Sequence, residues 1–145
     1  MFNRFAAFGL IALGVAGIVL SLQIWQPCFD SAVSEQCLDA MSARAHWPTA
    51  FGFWATGVGL AIVGALSRVG RWASLAATVL LLVAAHPAFD PGIGTWDTAD
   101  AVPGSGIISA SWLVLAGAII GVGGIVEQRR IVKQRSERKP AHPNH

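Results

Sequence analysis

The sequence predicts an all-α integral membrane protein: a four-helix bundle with both termini cytoplasmic and one disulfide in its first outer loop. Three observations lead there. The 145 residues are 54% hydrophobic and only 12% charged, with a mean hydropathy of +0.56, whereas a soluble domain carries charge on about a quarter of its residues. Four apolar runs, with no ionisable residue deep in any of them, are separated by polar stretches. The basic residues gather on one set of connections and the acidic residues on the other.

Taken in order, Met1 to Arg4 is a short basic start, and Phe5 to Ile24 follows as the first apolar run. A basic start before an apolar run also describes a signal peptide. The length of this run favours a retained first helix, at about 5–24. Trp25 to Pro48 reads as a polar loop holding both cysteines. Thr49 to Ser67 is the second span, and Arg68 to Arg71 a tight turn. The third span, about 70–88, is the shortest; it needs extension at both ends because about 20 residues cross a hydrocarbon core. Pro87 to Gly106 is a second polar loop, rich in Pro, Gly and Asp. Ile107 to Val126 then gives twenty residues without a charge, and the fourth helix is expected over 107–127. Residues 1–127 thus form one transmembrane domain and 128–145 a basic cytoplasmic tail. The helix should run on into that tail until Pro140 stops it. A β-barrel is excluded, since barrel strands alternate in hydrophobicity over about ten residues. Helices satisfy their own backbone, as lipid demands.

The charges orient the chain. The loops after the first and third helices hold Arg44 against Asp30, Glu35, Asp39, Asp90, Asp97 and Asp100. The N-terminus, the Arg68/Arg71 turn and the tail hold nine basic residues against Glu127 and Glu137. Positive residues stay cytoplasmic, which puts both termini inside and both long loops outside the plasma (inner) membrane. Trp25, Trp47 and Trp112 then fall near the outer boundary and Trp72 near the inner one, like an aromatic belt. Cys28 and Cys37 share the outer loop, in an oxidising compartment. A structural disulfide is expected, stabilising by roughly 3 kcal/mol on a chain-entropy account. A redox pair is the other reading, but the chain has neither a CxxC nor a second pair to relay electrons.

Small residues mark packing faces. In the fourth helix Ala110, Val114, Gly117, Gly121 and Gly124 fall on one face at steps of four and three. Gly121 is expected to be a position of close contact there. The second helix offers Gly52/Thr56, Ala55/Gly59 and Gly57/Ala61, and the first Ala12/Ala16 and Gly17/Ser21. Such faces let backbones approach. They exceed what a minimal bundle needs, so one of them is a candidate for docking another membrane subunit.

The rest of the sequence mostly excludes. Pumps, proton-coupled transporters and charged filters need ionisable groups within the membrane, and these spans have none. The chain contains no phosphate loop, nucleophile elbow, zinc helix motif or catalytic carboxylate pair, so no enzyme and no cofactor is expected. His46 and His86 both fall at the outer boundary. A metal or haem between them has no ligand spacing to support it, and both adjoin helix ends. The aspartates of the second outer loop do not follow calcium-loop spacing, and Trp96 there is a contact point for a partner, the membrane surface or the bundle itself. Arg129, Arg130, Lys133 and Arg135 in the tail attract anionic lipid headgroups. Nucleic-acid binding is not expected of a short tail without aromatic interleaving.

Ile24-Trp25-Gln26-Pro27-Cys28, followed by Cys37, resembles the tryptophan and paired cysteines of the claudin-type first extracellular loop. The expected four-helix topology is similar as well. The resemblance implies a tetraspan adhesion or barrier protein. This sequence departs from claudins in placing the motif at a helix end, in a loop half as long. The expected function is a non-catalytic accessory or assembly subunit of a larger membrane complex. The alternatives are a protein that binds lipid, quinone or pigment or carries a solute, and the claudin-like barrier protein.

Overall fold

A computed structural model of the chain describes residues 2–42, 46–86, 88–89 and 102–137, apart from the side chains of His46 and Trp47. The described residues form five helices and no strand: α1 (Phe2–Asp30), α2 (Glu35–Ser42), α3 (His46–Ala65), α4 (Arg71–Ala84) and α5 (Ile107–Glu137). Three of them, α1, α3 and α5, are long and apolar enough to cross a membrane, and α4 is a shorter apolar helix of 14 residues. At about 1.5 Å per residue, α1 and α5 are roughly 44 and 46 Å long. A hydrocarbon core is about 30 Å thick, so each is long enough to project well beyond one.

The helix ends differ from the sequence reading most in three places, and α3 runs over 46–65 where 49–67 was expected. The first helix does not stop at Ile24. It continues through Trp25 and Pro27 to Asp30, so the expected loop begins six residues later than predicted. The same loop holds a further helix, α2. Ser34 caps it: its Oγ accepts from the Cys37 N–H at 3.1 Å, and Glu35 sits in the first turn, where the helix dipole favours a carboxylate. Where the third span was expected over 70–88, the chain forms a helix over 71–84. Gly70 lies in the left-handed region, at φ 79°, and cannot extend the helix backwards. At the other end Pro87 disfavours helical geometry for His86, and the chain leaves α4 through a turn in which the His86 N–H donates to Val83 O.

Around the core each of α1, α3, α4 and α5 packs against two neighbours, α1 beside α3 and α5, and α4 beside α3 and α5. Residues of α3 also reach α5 across the middle. The largest interface joins α1 and α5, the first and last helices of the chain. They run antiparallel, from Asn3 beside Gly124 to Trp25 beside Ser105. The core between the helices is small-grained. Leu10, Leu81, Leu113 and Ile120 interlock with Ala7, Ala61, Ala77 and Ala116.

The large side chains mostly point away from that core. Phe5, Phe8, Val15, Val79, Leu82 and Val122 are all exposed. In water this arrangement would leave a large uncovered apolar surface. In lipid it is the expected one, because acyl chains solvate Phe and Leu as well as a core does, and the space between helices goes to residues that pack closely.

The closest approach of a helix glycine to a neighbouring helix's backbone is between α1 and α5. A Cβ on Gly117 would lie 2.8 Å from the carbonyl oxygen of Ala7 and 2.8 Å from Ile11 Cγ1. One on Gly14 would lie 2.7 Å from the carbonyl oxygen of Ala110. The two glycines therefore set the distance between the helices from opposite sides.

Candidate functional site

Polar side chains concentrate at the two ends of the helices. At the end where the basic residues gather, Asn3 is buried on the first turn of α1. Its Nδ2 donates to Val69 O, and its Oδ1 accepts from Ser67 Oγ. Both partners belong to the α3–α4 turn. Ser67 Oγ also lies within hydrogen-bonding distance of Gly64 O, at 2.9 Å. From α5, the Glu127 carboxylate accepts from the Gly70 N–H at 3.3 Å. This N–H precedes the first turn of α4, where the helix dipole favours negative charge. Arg4 donates to Gln128 Oε1 at 3.4 Å. Three chain segments are thus tied together where the apolar spans give way to charge.

Between these groups lies a pocket of about 150 Å³, walled by Asn3, Ser67, Ile120, Gly121 and Gly124, with Arg4 and Arg68 at its mouth. It shares Arg4, Val69, Ile125 and Gln128 with an open groove of about 910 Å³ along the last turns of α5. The groove is lined by apolar side chains, Val69, Ile125, Ile131 and Val132, and by cationic ones, Arg4, Arg129, Lys133 and Arg135.

At the opposite end, Trp25 is fully buried, and its indole N–H donates to Ser105 O at 3.0 Å. That bond holds the last turns of α1 to the residues leading into α5. Three residues further along, the disulfide Cys28–Cys37 joins α1 to α2, with the Cα atoms 4.8 Å apart. Replacing both cysteines by serine is expected to cost roughly 3 kcal/mol of stability on the chain-entropy account. Thermal unfolding in detergent, with and without reductant, checks this. The reductant should shift the native chain and leave the double variant unmoved.

The other expected residues fall as follows. Ala110 and Gly117 lie buried in the α1–α5 interface. Gly121 has room: a Cβ there would meet only Ala7 Cβ, at 3.7 Å. Gly121 and Gly124 open the pocket and do not set the helix spacing. Of the small pairs on α3, Gly57/Ala61 faces inward, whereas Gly52 and Gly59 face outward, with nothing within 4 Å of a Cβ at either. On α1, Gly17/Ser21 is inward and Ala12/Ala16 outward. Arg129, Arg130, Lys133 and Arg135 are exposed on helical turns of α5. His86 Nδ1 accepts from the Ala88 N–H at 3.2 Å within its own turn, and its ring stands edge-on to Phe89 at 6.4 Å. The His46 side chain, the aspartates and Trp96 of the second outer loop, and residues 138–145 lie outside the described residues. Among the described residues no cluster of three metal-ligating side chains occurs.

Asn3, Ser67 and Glu127 were not legible as a site. Each is an ordinary polar residue next to an apolar run, and only the tertiary fold brings them together. Gly70 in its turn was the one available signal. Comparison with known protein families, characterised proteins and solved structures finds no match.

Proposed function

We propose that the chain is a non-catalytic accessory or assembly subunit of a larger membrane complex. On this reading it crosses the plasma (inner) membrane four times, with both termini cytoplasmic. The basic bias of the N-terminus, the Arg68/Arg71 turn and the tail supports that sidedness. The fourth crossing is supported by α4, which lies between α3 and α5 and turns Leu75, Val79, Leu82 and Val83 outward. Non-catalytic is favoured because the spans contain no ionisable group, and because Asn3, Ser67 and Glu127 at the basic end bond to each other or to the backbone.

The observation that carries the reading is the outer face of α3. Gly52, Ala55, Thr56 and Gly59 make an exposed strip of small residues there. Thr56 Oγ1 is satisfied by the carbonyl of Gly52 at 2.8 Å, so the strip presents no polar group in need of water. In a bilayer such a strip admits another helix at close range. Native mass spectrometry after mild extraction should find the chain with larger subunits. A Gly52→Leu/Gly59→Leu variant should lose them while staying folded, since both positions are open within the chain. A lone monomer that moves solute in a transport assay sinks the reading.

A further inference from the structure

We propose that the pocket and groove at the basic end form a saturable site for one anionic phospholipid per chain. This rests on the membrane-spanning reading above, and not on the subunit role. The basic tail alone would attract any negative surface diffusely. The structure adds shape. Gly121 and Gly124 leave an indentation of about 150 Å³ beside α1, and the groove that shares part of its lining carries apolar and cationic side chains together.

Charge complementarity selects the headgroup. Among the described residues Arg4, Arg68, Arg129, Lys133 and Arg135 have no carboxylate partner. The adjacent carboxylate, Glu127, is turned to the Gly70 N–H. Asn3 and Ser67 satisfy each other and the turn. The donors left for an occupant are therefore guanidinium and ammonium groups, which suit a phosphodiester. Guanidiniums can take two of its oxygens together.

The apolar part of the lining selects a lipid over a free anion. Ile125 and Val132 are exposed, and the apolar surface continues into the membrane-facing side of α5 through Val122 and Val126. An occupant entering from the bilayer keeps its acyl chains in hydrocarbon while its phosphate reaches Arg4 and Arg129. An inorganic phosphate leaves that apolar surface uncovered.

The test uses the full chain in nanodiscs with equal amounts of phosphatidylglycerol and phosphatidylcholine of the same acyl chains, followed by native mass spectrometry. One phosphatidylglycerol should be retained per chain in preference to phosphatidylcholine. The Arg4→Gln/Arg129→Gln variant alters exposed residues only and should lose that preference by on the order of tenfold. Gly121→Leu, which fills the pocket, should lose the bound lipid. Millimolar inorganic phosphate should not displace it. Equal retention of the two lipids overturns the site, as does a preference unchanged in the arginine variant. Displacement by phosphate, or by an acidic peptide, assigns the cationic side chains to another ligand and overturns it too. Resistance to carbonate extraction, measured first, separates the outcomes. A chain stripped by carbonate fails the membrane-spanning reading, whereas an inserted chain without lipid preference fails only the lipid site.

Discussion

Replacing Gly117 by leucine is expected to separate α1 from α5 and abolish the folded bundle. Even a single methyl at this position would sit 2.8 Å from the Ala7 carbonyl oxygen and 3.1 Å from the Ile11 backbone nitrogen. Those are backbone atoms of a packed helix, and they cannot rotate away as a side-chain tip would. Overpacking of a close interface costs about 1–3 kcal/mol for modest insertions. Gly117→Ala should fall in that range and Gly117→Leu beyond it. Gly121 is the internal control. It lies one turn along the same helix, where a new methyl meets Ala7 Cβ at 3.7 Å, an ordinary contact. Gly121→Ala should leave stability unchanged within about 0.5 kcal/mol. Equilibrium unfolding of the three variants in detergent micelles reads this directly. Equal losses at Gly117 and Gly121 would show that the α1–α5 register described here is not the one the protein adopts.

The second large effect is expected at Trp25. Its side chain is fully buried, and its N–H bonds the Ser105 carbonyl. Truncation to alanine removes the largest buried side chain among the described residues. A loss of about 3–5 kcal/mol follows from the transfer and cavity terms together. Trp25→Phe keeps most of the volume and removes the donor, so its cost should be closer to 1 kcal/mol. Because Trp25 holds the last turns of α1 to the start of α5, Trp25→Ala should also loosen the disulfide segment next to it. Limited proteolysis between Ser31 and Ser42 would detect that. Protease resistance equal to the native chain would mean the disulfide segment is held independently of the tryptophan.

Several features were legible from the residues alone because they depend on solvent and on local chemistry. A continuously apolar twenty-residue run without charge, such as Ile107–Val126, is helical where it spans lipid, since the other spanning structure, a closed β-barrel, needs strands that alternate in hydrophobicity. The Cys28–Cys37 pair could be matched because only two cysteines exist, close together in the chain. Ser34 before Glu35 was a readable cap for α2, yet the polar composition around it suggested a loop. The continuation of α1 through Pro27 was not readable. A proline inside a helix removes a hydrogen bond, and this one is retained beside two ties that only the folded chain supplies: the Trp25–Ser105 bond and the disulfide.

The glycines divide the two kinds of information most clearly. Spacing alone puts Gly52/Thr56, Ala55/Gly59 and Gly57/Ala61 on equal terms in α3, because a helix has small-residue faces in whichever direction small residues point. Which face meets a neighbour depends on the rotation of α3 about its own axis. That rotation is decided by Leu10 and Leu113, the two side chains a methyl on Gly57 would meet. The same holds for Gly117 and Gly121, one turn apart on one face. The first meets backbone, and the second meets only Ala7 Cβ beside a pocket.

The sequence by itself determined that the chain is helical, built for a lipid surroundings, charged asymmetrically and stapled once. These follow from how single segments partition and from which residues are present at all. The tertiary structure alone decided which glycines touch, that Asn3, Ser67 and Glu127 meet around one turn, and that a cationic groove opens beside Gly121. Such features depend on the relative rotation and register of helices far apart in the chain. No local propensity encodes that, because it is the joint outcome of packing every helix against its neighbours at once.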